Sequence, residues 1–274
     1  MNYRHAFHAG NFADVAKHLA LVAILAHLKK KPAPFAVIDT HAGRGLYDLG
    51  GAEAKRSGEA AWGIGRLRDL AEGPPSLQLY LDVVRSCGEE RYPGSPLIAA
   101  KLLRPEDRLV AIEKHPEDFA VLKGALSPFR RARAIEADGY ARLPALLPPN
   151  ERRGLVLIDP PYEAPDEFSL AARAVADMLR RFATGIALIW FPVKSAADAN
   201  AFAGEVLAAG PAKLLRLDVD AGSETGKMGA AGLLVINPPF GFRDEMRAAL
   251  AFLAPLLGRR GPARIRLDWL SGGE

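Results

Sequence analysis

Apolar residues fall along this chain in two rhythms, one long and helical, the other in short unbroken runs. The first long stretch, VAKHLALVAILAHLKKK (residues 15–31), follows Asn11 and Asp14. It predicts a capped helix whose terminal lysines suit the negative end of its dipole. Pro32 and Pro34 stop it, and FAVID (residues 35–39) reads as a buried strand emptying into THAGRG. Similar short runs follow: LVAIE (109–113), RAIEAD (133–138), LVLID (155–159), IALIWF (186–191), KLLRLDV (213–219) and LLVIN (233–237). Hydrophobicity that is continuous rather than alternating marks strands covered on both faces, as in a parallel sheet with helical crossovers. Residues 117–126, 166–181 and 196–209 carry the helical period between them. The pattern predicts a doubly wound α/β sheet, whose ligands sit beyond the C-terminal ends of the strands.

One interruption separates the first two strands. Residues 46–105 hold three segments of helical pattern (59–70, 77–84 and 97–103), which predicts a helical insertion over the strand ends. The main domain is then residues 1–45 and 106–274. Half of the 274 residues are hydrophobic, enough for a large core in such a domain. No apolar run reaches the roughly 18 residues that cross a bilayer, and MNYRHAFHAG lacks a signal peptide's apolar centre. A cytoplasmic protein without membrane attachment is expected. The single cysteine, Cys87, excludes an internal disulfide or thiolate cluster and is given no function. No His, Cys and carboxylate spacing suggests a metal site. A net charge of +4 permits a polyanionic partner without demanding one. Its distribution says more, because bases recur in clusters at residues 29–31, 130–133, 152–153, 180–181 and 259–260. Singly these suit solvated helix ends and loops; together they allow a nucleic-acid surface.

The candidate chemistry sits at strand ends. DTHAGRG (residues 39–45) offers Gly43 and Gly45 for a tight turn against a ligand, while Asp48 stands where a dinucleotide fingerprint wants a third glycine. That favours the looser loop used by S-adenosylmethionine (SAM) enzymes over NAD or FAD. Glu113 ends the second strand, where it can accept ribose hydroxyls, and Asp138 of Asp138-Gly139 ends the third, where it can take an adenine amino group. Ser95-Pro96 reads as a serine cap and first-turn proline, leaving N–H groups for a carboxylate. His18 and His41 can flank the same end. After the fourth strand comes DPPY: Asp159 and the Pro160 carbonyl are two acceptors, and Tyr162 is a flat face. Two acceptors and a ring suit an exocyclic amine on an aromatic base. A second copy, INPPF (residues 236–240), follows a later strand and reads as structural.

With DPPY in that position the chain resembles the amino-methyltransferases of the SAM-dependent Rossmann superfamily. NYRHAFHAGNFADVAKH, THAGRG, YPGSP, ADG and LIDPPYE resemble a narrower group, the bacterial RlmJ-type 23S ribosomal RNA adenine-N6 methyltransferases. The resemblance runs nearly end to end. It implies a seven-stranded, mostly parallel Rossmann-like sheet and methyl transfer from SAM, giving S-adenosylhomocysteine, to one adenine in domain V of 23S RNA. It implies SAM contacts at His18, His41, Ser95, Glu113, Asp138, Gly139 and Asp159, with Asp159 the catalytic acceptor. Lys17 and an arm containing Tyr3 and His5 would lie close to the cofactor or target base. A monomer without metal is expected. The glycine-rich segment 221–231, with Lys227 and Met228, has no assignment by pattern. Competing readings are a DNA adenine or cytosine methyltransferase, a glutamine-side-chain methyltransferase, and a non-catalytic protein that binds SAM and RNA.

Overall fold

The computed structural model describes residues 4–222 and 228–273, so Tyr3 and Lys227 lie outside the described residues. Asn11 caps the first helix as its sequence predicts. Its side-chain oxygen accepts from the N–H groups of Ala13 and Asp14 at 2.9 and 3.0 Å, and α1 runs Phe12–Lys29. The Asp14 carboxylate reaches back one residue further than a capping box requires, to the Gly10 N–H at 2.9 Å. Apolar residues surround this helix, which is why it lies in the interior rather than on a surface. The polar side chains it buries are Asp14, Lys17 and His18, all in its first two turns.

The chain continues through β1 (Ala36–Asp39), β2 (Leu46–Asp48), α2 (Ala52–Ser57), α3 (Pro75–Arg85), β3 (Arg91–Pro93) and α4 (Ser95–Leu102). The helix expected over residues 59–70 is instead two single 3-10 turns, Glu59–Trp62 and Ile64–Arg66, broken at Gly63. Gly63 presses on the entry to α1: a Cβ there would stand 2.1 Å from the Gly10 carbonyl oxygen, which accepts the Ile64 N–H. The pairing of β2 with β3 is also absent from the sequence reading, since three residues carry no usable period. Ile64, Leu77, Tyr80, Leu81 and Tyr92 share one core with α1.

The remaining elements are β4 (Arg108–Glu113), α5 (Pro116–Leu126), β5 (Ala132–Glu136), α6 (Gly139–Arg142), β6 (Gly154–Ile158), α7 (Glu167–Arg181) and β7 (Ile186–Pro192). Then come α8 (Ala196–Ala208), β8 (Leu214–Asp220), β9 (Ala230–Ile236), α9 (Phe242–Leu257) and β10 (Arg264–Ser271). One sheet has the order β10-β8-β9-β7-β6-β1-β4-β5. The strands β5, β4, β1, β6 and β7 are parallel, and β9, β8 and β10 join antiparallel. The doubly wound α/β class is therefore observed, with eight strands where the resemblance implied seven. Successive side chains alternate between two cores: Leu155 and Leu157 face α1, α3, α4 and α9, while Val156 and Ile158 face α7 and α8. Each fully buried Leu or Ile contributes about 1.5–3 kcal/mol, so a one-residue slip in β6 would forfeit several such terms. Among the described residues, no helix is long and apolar enough to cross a membrane.

Candidate functional site

Strand order reverses beside β1, which has β6 on one side and β4 on the other. An open α/β sheet forms its ligand crevice at such a point. Here a cavity of about 270 Å3 opens at the C-terminal ends of β1, β4, β5 and β6. Its wall includes His18, His41, Gly43, Ser95, Glu113, Asp138, Gly139 and Asp159, residues separated by as much as 141 positions in the chain but brought together by the crossovers. Lys17, His5 and Pro160 also line it.

The turn after β1 is built on left-handed glycines, with φ of 61° at Gly43 and 73° at Gly45. The conformation frees the Gly43 N–H to donate to Glu113 Oε2 at 2.8 Å, while the His115 N–H donates to Oε1 at 2.7 Å. Burial nevertheless raises the Glu113 carboxyl above its usual range, because the backbone N–H groups of His115, Gly43 and Lys114 offset desolvation only in part. Asp138 caps α6 through the Ala141 N–H at 3.1 Å and pairs with Lys114 at 3.0 Å. Next to it Gly139 lies against β1: a Cβ would come 2.0 Å from the Thr40 carbonyl oxygen. Only glycine lets the two strand ends approach this closely.

Ser95 does not cap its helix. It is the first residue of α4, with Gly94 in the cap position, and its hydroxyl donates to Asp39 Oδ2 at 2.7 Å. Asp39 itself, which the sequence reading passed over as the end of a strand, is buried, and desolvation lifts its carboxyl to about 7. The Ser95 bond opposes that shift without cancelling it. His18 Nδ1 meets the Tyr92 hydroxyl at 2.6 Å, and Tyr92 meets Tyr80 at 2.9 Å. Burial pushes the His18 imidazole down to about 3, and its buried Nε2 has no hydrogen-bond partner. His41 is fixed by Thr40 Oγ1 at 2.8 Å and meets Tyr140 edge-on at 4.8 Å. Tyr140 in turn donates to Glu167 at 3.1 Å, two further wall residues without a sequence motif.

At the end of β6, Lys17 Nζ bridges Asp159 Oδ2 at 2.5 Å and Asp14 Oδ1 at 2.8 Å. Burial works against the charge on Lys17, but Asp14 and Asp159 outweigh it and hold the ammonium above its ordinary range. Asp14 is also buried, yet His5 and Lys17 hold its carboxyl well below the usual value. His5 Nε2 lies 2.9 Å from Asp14 Oδ2. Asp14 and Asp39 both fall inside stretches that the sequence singles out, NYRHAFHAGNFADVAKH and DTHAGRG, but nothing in the pattern gave either carboxylate a role of its own.

A second cavity, of about 190 Å3, lies across this ion pair. His5, Lys17, Asp159 and Pro161 line both. The far wall is formed by Tyr162, Trp190, Lys194 and Met228. Tyr162 has a left-handed φ of 51°, donates to the Trp190 carbonyl at 2.7 Å, and packs on Phe168 with ring centroids 4.6 Å apart. It is a buried part of the cavity wall rather than an open face. The INPPF copy is structural, as its sequence position indicated. Asn237 donates from Nδ2 to the carbonyls of Ala183 and Gly185, both at 2.9 Å. Because β9 runs against β7, this copy ends at the opposite edge of the sheet from Asp159.

Residues 32–271 match the family model described as ribosomal RNA large subunit methyltransferase D, RlmJ. The chain is 40% identical to ribosomal RNA large subunit methyltransferase J of Escherichia coli over 98% of its own length and 99% of that protein's. The protein of the same description from Haemophilus influenzae is 38% identical, over 99% of each chain. Among solved structures, a Legionella pneumophila protein superposes with a TM-score of 0.86 at 34% identity, covering 95% of this chain and 98% of that one.

Proposed function

This chain belongs to the RlmJ family of ribosomal RNA large subunit methyltransferases, and from that premise we propose that it transfers a methyl group from SAM to the exocyclic N6 of one adenine in domain V of 23S ribosomal RNA. The observation that carries the reading is the position of Asp159. It stands at the switch point of the sheet, belongs to the walls of two cavities, and has one carboxylate oxygen held by a buried lysine.

The residues of the first cavity suit SAM. Glu113 and Asp138 are acceptors for ribose and adenine groups. His18 keeps a buried polar atom without a protein partner, and Gly43 and Gly139 give the backbone its close approach. Ser95 and His41 complete the wall. When bound, SAM supplies an electrophilic methyl group on a sulfonium.

The protein's own part is to position an amine. Lys17 fixes Oδ2 of Asp159, leaving Oδ1 as an acceptor without a hydrogen bond among the described residues. Together with the Pro160 carbonyl it accepts the two N–H bonds of the target amine. Those bonds draw the nitrogen toward tetrahedral geometry and release its lone pair from the ring. Prior deprotonation is unnecessary, since the alkylated nitrogen is strongly acidic and sheds its proton to Asp159 or water. The target base must be splayed out of its stack to enter, and the second cavity, walled by Tyr162 and Trp190, is where it lodges. His5 borders that passage. On this reading the protein acts on RNA in the cytoplasm, as the ribosomal RNA substrate of the family requires.

Transfer of labelled methyl from SAM to free 23S RNA and to duplex DNA tests the assignment, with N6-methyladenine as the expected product on RNA. Incorporation into DNA alone would discard it. Asp159→Asn should lower kcat by about 1000-fold while leaving RNA affinity nearly unchanged; an unaltered rate would favour a non-catalytic RNA-binding protein.

A further inference from the structure

The basic clusters visible in the sequence line neither cavity, and all but the one at residues 259–260, which follows α9 beside the end of β8, gather where the sheet register brings the strand starts together. One edge of the sheet is formed by the first residues of β8, β7, β6, β1, β4 and β5 (Leu214, Ile186, Gly154, Ala36, Arg108 and Ala132) and by the last residue of β9, Ile236. Just outside that row, at the edge opposite the active site, lie Lys213, Arg181, Arg152, Lys31 with Lys30, and Arg131. Backbone bonds stitch this edge together: Asn237 N to Lys213 O, Ala36 N to Arg153 O, Arg108 N to Phe35 O and Leu109 N to Arg131 O.

Bases near helix C-termini are expected simply to offset the dipole. That accounts for Lys30 and Arg181 but not for Lys213, Arg152 or Arg131, which precede strands. Structural needs absorb other members: Arg104 and Arg153 bond carbonyls after α1, and Arg108 pairs with Glu151. The acids here are mostly engaged as well, Glu106 and Asp107 by Arg104, Glu151 by Arg108 and Asp177 by Arg180, with Glu245 facing His27. The six exposed bases named above have no ion-pair partner among the described residues, although Arg131 also donates to the Glu106 carbonyl at 3.0 Å. Among them, on the turn after β9, Phe240 is 82% exposed, the most exposed large hydrophobic side chain of the described residues. The mouth of the first cavity is different in sign, being lined by Glu113, Asp118, Asp138, Glu163 and Glu167.

We infer that this edge is a second RNA-binding surface, engaging the phosphate backbone of the substrate RNA away from the target adenine, with Phe240 as a stacking platform for an unpaired base. The inference rests on the ribosomal RNA reading above for the identity of the RNA. Unpaired cations across seven adjacent strands, roughly 30 Å of sheet edge, match a polyanion and not an apolar protein face. An aromatic ring among them adds base stacking. The strands are roughly 15–20 Å long, so RNA on this edge cannot be the segment that enters the cleft and must reach it from further along the chain.

The experiment compares a long 23S RNA fragment with a short stem-loop carrying only the target adenine. The variant is Arg152→Glu/Arg181→Glu/Lys213→Glu. On long RNA, KM should rise about ten-fold or more and the salt dependence of binding should flatten by about three phosphate equivalents. On the stem-loop, kcat and KM should match the parent protein. Phe240→Ser, at an exposed position where folding is not at issue, should weaken long-RNA binding by about five-fold or more. Long-RNA binding within two-fold of the parent for both variants would overturn the surface, as would equal losses on both RNAs. A parent dimer that the triple variant dissolves would also overturn it, in favour of a protein partner. If the parent methylates neither RNA, the proposed function fails, while direct binding of the long fragment still decides the surface.

Discussion

Lys17 Nζ stands between two carboxylates inside the protein, and removing it would leave the buried Asp14 without its lysine, facing His5 at 2.9 Å and His18 at 4.0 Å. Breaking a buried ion pair from one side leaves the remaining charge desolvated without compensation. Lys17→Met is therefore expected to cost about 3 kcal/mol of stability, read as a lower urea midpoint, and Asp14→Asn in the same chain should recover part of the loss. His18 gives a pH signature. Its imidazole is pushed down to about 3 in the folded protein against 6.5 as the ordinary value. Between those values the unfolded chain binds the extra proton, so acid destabilises the fold through this residue. Asp39 acts in the opposite sense: its carboxyl is raised to about 7 from 3.8, so across that interval the folded state binds the extra proton and its contribution weakens as pH rises. The overall profile mixes the two, and a variant separates them. His18→Gln should lose less stability than the parent between pH 7 and 5, by about 1–2 kcal/mol, in paired denaturation curves at each pH.

At the scale of elements, two similar four-residue motifs have different fates because strand direction differs. DPPY follows a strand parallel to its neighbours and ends in the crevice; NPPF follows an antiparallel one and ends at the far edge. Asn237→Ala loses two side-chain bonds to the segment before β7 and leaves alanine at a φ of 49°. The expected cost is about 2 kcal/mol of stability with kcat unchanged, the reverse of Asp159→Asn, measured by melting and turnover together. The strand ends bearing Glu113 and Asp159 were legible in the sequence because runs buried on both faces announce their own termini, whereas β5, ahead of Asp138, is a half-exposed margin that the pattern predicted as covered on both faces. Residues 59–70 were not, since the contact of Gly63 with Gly10 is a tertiary fact with no local period. Ser95 was misread for a related reason: a serine before a proline has the composition of a cap, but a buried Asp39 offers its hydroxyl a stronger acceptor.

For the whole molecule, the sheet's two margins oppose growth by strand addition. On β10, Arg264, Arg266 and Asp268 alternate with Ile265, Leu267 and Trp269, and Arg133 and Glu136 are exposed on β5. Charged outward positions discourage edge-to-edge pairing. A monomer is the expected species in sedimentation equilibrium at low salt. That same alternation made β10 hard to find, because a half-exposed margin lacks the solid apolar run that announced the inner strands. The family resemblance supplied what pattern could not, the grouping of Lys17 and His5 with Asp159, since nothing in their spacing joins the start of the chain to its middle.

The wall of Lys17, Asp159, His5 and Pro161 divides the crevice into two chambers, each open to solvent. A partitioned site has two doors. Neither reactant has to wait behind the other, and the used cofactor can be exchanged while the nucleic acid stays seated, so turnover is expected to follow no compulsory sequence of arrivals and departures.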